Sequence, residues 1–177
     1  MMLEKRIIEA EGNVRSYLAE GMLKKTNDVD KNILAVFRKN SEESLLVAGH
    51  IFKNNLSSLW VVVCSYYSMY YIANAVLYSI KYKVGHKISH KVTSDALIVF
   101  VRNRLKERLL EDYEDAKNET TLLASLDADK VIESFDFERV KRSAFQYDMT
   151  ESIKKSKAET SINRAKKFAY EMENLLT

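Results

Sequence analysis

The chain contains no proline, four glycines, one cysteine and one tryptophan in 177 residues. Sheets and barrels reverse direction often, and each tight turn needs glycine, proline or asparagine at special dihedral angles. So few turn residues exclude a sheet-rich fold and predict long helices with few connections. The lone Cys64, set in an apolar run, excludes an intrachain disulfide and a cysteine-rich zinc site. Histidine is also sparse, with only His50, His86 and His90. His86 and His90 lie four apart but flank an expected helix start with no carboxylate between them, so His90 reads as a capping or packing residue and no metal is expected. No Gly-rich phosphate loop, paired-carboxylate pattern or nucleophile motif appears, and no cofactor is implied. Glu4, Lys5, Arg6, Glu9 and Glu11 interrupt the N-terminal stretch, so no secretory signal is expected and a reducing cytoplasm is the expected location.

What is present fits one globular domain with a real core. Apolar residues make up 46% and charged residues 30%, which argues against disorder. A net charge of +3 and a pI near 8.8 permit an anionic partner without requiring one.

The longest apolar run, LSSLWVVVCSYYSMYYIANAVLYSI, extends from Leu56 to Ile80 without a charge. It exceeds the ~20 residues that cross a bilayer. Tyr66, Tyr67, Tyr70 and Tyr71 fall in its middle, however, and tyrosine prefers the membrane interface to the hydrocarbon centre. In a bundle the rings fill the core while each hydroxyl finds a partner. Ser65, Ser68 and Ala73 allow close helix approach. The run therefore reads as a central core helix and not as a membrane span.

Helical spacing recurs along the rest of the chain. Leu3, Ile7, Val14, Leu18 and Met22 form one stripe up to about residue 25. Asp28 or Asp30 can cap a helix bearing Ile33, Val36 and Phe37. Asn40-Ser41-Glu42-Glu43 has the form of a capping box and predicts a fresh helix start, ending near Asn54-Asn55. Lys81 to His90 reads as a polar connection, with Ser89 or Thr93 capping a helix that carries Val92, Ala96, Val99, Phe100 and Leu105. Residues 106–121 are strongly charged, a solvated helix end or a loop. Further helices are expected from about Asp127 and from Glu151 or Glu159 onward. Lys154, Lys155, Lys157, Arg164, Lys166 and Lys167 cluster on the last, diluted by Glu151 and Glu159.

Three segments resemble a known family. SYYSMYYIANAVL is similar to the AYYAMFHAAKALL type of helix in small prokaryotic HEPN (higher eukaryotes and prokaryotes nucleotide-binding) domains. Ser89-His90-Lys91-Val92 leading to Ala96-Leu97-Ile98-Val99-Phe100 is similar to that family's SHKG…ALF connection and third helix. Arg142-Ser143-Ala144-Phe145-Gln146-Tyr147-Asp148 resembles its R-x-x-A-D-Y segment, followed by an A-x-x-F pattern at Ala165 and Phe168. Order and spacing agree over residues 41–176. The resemblance implies an all-α, up-and-down bundle of four to five core helices over 39–177, with residues 1–38 adding a helical extension. It also implies a homodimer, and a small nucleotidyltransferase as partner in a two-component or toxin–antitoxin pair.

Catalytic members are metal-independent ribonucleases in which a histidine follows an arginine by four to six residues. The arginine stabilises phosphate charge and the histidine moves protons near neutral pH. Here all histidines precede Arg142. Tyr147 occupies the expected place, and an unperturbed phenol, with a pKa of about 10, is a poor base at pH 7. Asp148 can accept a proton but repels phosphate. The expectation is a non-catalytic binding or adaptor protein, with Arg142, Tyr147, Asp148, His90 and Lys91 as candidate ligand residues for a nucleotide or RNA. A divergent ribonuclease and a ligand-free interaction module stay open as alternatives, as does a purely structural role for Arg142, Tyr147 and Asp148. The central helix is expected to be scaffold only.

Overall fold

The apolar run forms helix α3, Ser58–Ser79, and the bundle is built around it. The computed structural model describes residues 4–111, 120–147 and 155–176, and within these the side chains of 4–107, 128–143 and 155–176. The Ser57 side chain caps α3 by accepting from the Trp60 amide at 3.3 Å. Fourteen residues of α3, from Val61 to Tyr78, are buried. By length and composition α3 is the one helix among the described residues able to cross a membrane, yet 67% of its apolar window is buried inside the bundle. Its neighbours are α2 (Lys31–Lys53), α6 (Thr120–Tyr147) and α7 (Lys155–Glu173). The main core joins Tyr66, Met69 and Ile72 of α3 to Phe135 of α6 and Phe168 and Met172 of α7. Each such side chain contributes roughly 1.5–3 kcal/mol by leaving water. The expected all-α bundle is observed.

Helix α2 runs unbroken through Asn40-Ser41-Glu42-Glu43, so the capping-box expectation is corrected, and the expected boundary between residues 38 and 39 falls inside a helix. The apolar stripe of Leu34, Phe37, Leu45 and Ala48 continues across this point. Ser41 caps nothing. It is buried against α3, where its hydroxyl donates to the Ser68 carbonyl at 2.8 Å. The true cap is Asp30, which accepts from the Asn32 amide at 2.8 Å.

Helix α1 (Glu4–Ala19) ends earlier than its stripe suggests. Gly21 takes φ 70°, a left-handed conformation open to glycine, and turns the chain into strand β1, Leu23–Lys25. Strand β1 pairs antiparallel with β2, Tyr82–Val84, in the register Leu23↔Val84, Lys24↔Lys83, Lys25↔Tyr82. The polar connection after α3 is thus half of a two-stranded ribbon. The Gly85 amide extends the ladder by donating to the Met22 carbonyl at 2.7 Å. A Cβ on Gly85 would lie 3.0 Å from that oxygen, so the close approach needs glycine. Leu23 is fully buried, and Tyr82 stacks on Phe100 at 4.1 Å.

Helix α4, Ser89–Ala96, starts from Ile88 in a left-handed conformation with no side-chain cap. Neither expected cap is used: the Thr93 hydroxyl instead donates back to the Ser89 carbonyl at 2.8 Å. A π-helical stretch, Leu97–Val101, joins α4 to α5, Arg102–Glu111. Helix α6 begins at Thr120, before the expected Asp127.

Candidate functional site

The site assembles where α3, α4 and α6 meet. The i, i+4 pair Tyr66 and Tyr70 lies on one face of α3, with their rings stacked at 6.4 Å. Tyr67 and Tyr71 repeat the spacing alongside, at 6.1 Å. His90, in the first turn of α4, inserts against these rings, 4.5 Å from Tyr70 and 5.4 Å from Tyr66. From α6, Arg142 lays its guanidinium over the rings of Tyr66 at 5.0 Å and Tyr67 at 5.7 Å. Cation–π contact of this kind is worth on the order of 1–2 kcal/mol when partly desolvated.

Tyr66 is the hinge of the arrangement. Its hydroxyl lies 2.8 Å from His90 Nδ1, and the Arg142 guanidinium lies over its ring. The hydroxyl and Nδ1 are partners in one hydrogen bond, which leaves Nε2 as the ring nitrogen turned away from Tyr66. Burial pushes the Tyr66 phenol above its usual range, with Arg142 opposing that shift. Burial pushes His90 down to about 4, and the positive charges of Arg142 and Arg139 push the same way. At neutral pH the imidazole is uncharged.

The side chains differ in access. Tyr66 is fully buried and Arg142 is 7% exposed, whereas Tyr67, Tyr70, Tyr71, His90 and Arg139 are half-buried and Lys91 is exposed. Arg139 pairs with Asp136 at 3.2 Å. Solvent meets a rim of tyrosine rings, His90, Lys91 and Arg139, with the Arg142 charge fixed behind it.

Of the five expected ligand residues, His90 and Arg142 are brought together, and Lys91 sits beside them in α4. Tyr147 is the last residue of α6 with its side chain outside the described residues, and Asp148 lies outside them altogether. Tyr66, Tyr67, Tyr70 and Arg139 were missed. The i, i+4 tyrosine pairs and an arginine three residues before Arg142 were the available signals. Of the basic cluster on α7, Arg164 is committed to the fully buried Glu138 at 2.8 Å. Cys64 is half-buried, and burial raises its thiol pKa. Among the described residues no cluster of three or more histidine, cysteine or carboxylate groups is arranged to hold a metal. Comparison with family models, with characterised proteins and with solved structures returns no match for this chain.

Proposed function

We propose that this chain is a HEPN-type, non-catalytic binding protein that takes a nucleotide at the rim formed by Tyr67, Tyr70, Tyr71, His90 and Lys91. The observation that carries this reading is the convergence of His90 and Arg142 on Tyr66, one at its hydroxyl and the other over its ring. The phosphate accepts from His90 Nε2–H and pairs with Lys91, while the Arg142 charge lies behind. Half-buried tyrosine rings offer faces on which a base stacks. As the resemblance implies, the chain acts as a homodimer beside a small nucleotidyltransferase.

Binding suits these groups better than catalysis. A general acid–base works best with a pKa near the operating pH. His90 is held near 4, and its Nδ1 is engaged with the Tyr66 hydroxyl. The ribonuclease reading has one observation in its favour, a histidine beside Arg142, although it arrives from upstream in the chain.

Calorimetry with ATP, beside His90→Ala and Lys91→Glu, tests the proposal. Binding should weaken about tenfold in each variant, the equivalent of ~1.4 kcal/mol. No heat at millimolar ATP would leave only an interaction role. Cleavage of labelled RNA that disappears in Arg142→Lys would establish the enzyme reading instead.

A further inference from the structure

The β1–β2 ribbon places Lys24 directly opposite Lys83. Both are exposed, on the face away from buried Leu23. Like charges opposed across an antiparallel pair are destabilising, and no ion pair among the described residues reaches Lys24, Lys83 or Lys87. The two lysines, with His86 and Lys87, line an open depression of about 530 Å³ whose only acidic wall residue is Glu20. Lys25 extends the basic character on the other face, 5.8 Å over the Tyr82 ring. Such a concentration of unpaired cations on a three-residue ribbon is mildly unfavourable by itself and favours an anion bound over it.

From this ribbon the chain runs through Gly85, His86 and Lys87 directly into α4, whose first turn carries His90 and Lys91. Lys87 of the depression and His90 of the rim are three residues apart, at most about 11 Å along the chain, so one edge of the depression adjoins the rim. A cationic track that ends on stacked aromatic rings is the arrangement by which proteins hold single-stranded nucleic acid: lysines follow the backbone and rings take the bases. An acidic protein segment would use the lysines but not the rings.

We infer that the β1–β2 ribbon is a phosphodiester-binding surface, and that the ligand of this protein is single-stranded RNA running from the ribbon to the tyrosine rim. The inference rests on the nucleotide reading for the rim alone; the ribbon stands or falls separately.

The test uses the full chain, fluorescence anisotropy and a labelled oligouridylate of roughly 12 nucleotides, within the site size of such surfaces. Lys24→Gln/Lys83→Gln should weaken binding about tenfold and flatten the dependence of log K on log salt by about 1.4, or ~0.7 per phosphate contact. Because the substitution removes a like-charge pair, its melting temperature should equal or exceed that of the parent, which excludes misfolding as the cause. Heat of ATP binding should stay unchanged. RNA binding that ignores the two lysines would overturn the inference, as would an absence of RNA binding by the parent chain. Equal affinity for polyglutamate at the same salt would also overturn it, in favour of an acidic protein partner. Lysine-dependent RNA binding without any ATP heat would leave the ribbon intact and sink the mononucleotide reading.

Discussion

Tyr66 meets two groups at once, its hydroxyl 2.8 Å from His90 Nδ1 and its ring under the Arg142 guanidinium. Replacing the hydroxyl with hydrogen, as in Tyr66→Phe, keeps the ring that packs against Phe135 at 5.6 Å and lies under Arg142. It leaves His90 Nδ1 without its hydroxyl partner. Orphaned buried polar groups cost ~1–3 kcal/mol, so urea denaturation should show a loss in that range. The same variant should free the imidazole tautomer, which nitrogen-15 chemical shifts of the His90 ring would report. A variant as stable as its parent, with an unchanged His90 tautomer, would mean that the hydroxyl does not hold the ring.

Among the elements, α1 shows how a buried charge can fix a helix to a bundle. Asp95 of α4 is fully buried and meets three α1 side chains: Arg6 at 2.7 Å, Asn13 at 3.0 Å and Tyr17 at 2.9 Å. Positions 6, 13 and 17 share one helix face, so the contact is a property of the whole helix. Asp95→Asn keeps the shape but breaks the pair, at a cost on the order of 3–5 kcal/mol. Hydrogen exchange should accelerate through Glu4–Ala19 before the α3 amides, and uniform acceleration would show that α1 is not a separate unit. The helices themselves were legible because an apolar stripe repeating every three to four residues needs only local sequence. The ribbon was not: each strand is three residues long, too short for an alternation to register, and its partner lies far along the chain. The false start at Asn40 has a similar cause. A capping box is a local preference, and the apolar stripe that packs on α3 carries the helix straight through Asn40, with Ser41 donating to the Ser68 carbonyl of that neighbour. His90 and Arg142 were visible as chemistry-bearing residues, but their meeting depends on how α4 and α6 pack on α3.

For the molecule as a whole, His90 couples folding to pH. Its folded pKa lies near 4, against 6.5 for an unperturbed histidine. Between those values the unfolded chain binds a proton that the folded chain refuses, so acid favours unfolding. The contribution is fully present above 6.5 and is lost as pH falls towards 4. Denaturation midpoints measured across this window should therefore fall in the parent chain, and His90→Gln should lose less over the same interval. Carboxylates titrate in both proteins, so the difference between them isolates the histidine. A bound anion acts in the opposite sense. A phosphate at the rim favours the charged imidazole that Arg142 and Arg139 disfavour, and must raise the His90 pKa by the amount that protonation tightens binding. Proton NMR of the His90 ring should show its titration move upward from about 4 when ATP is added, while ATP affinity rises as pH falls towards 4. A titration unmoved by saturating ATP would mean that the phosphate does not reach His90.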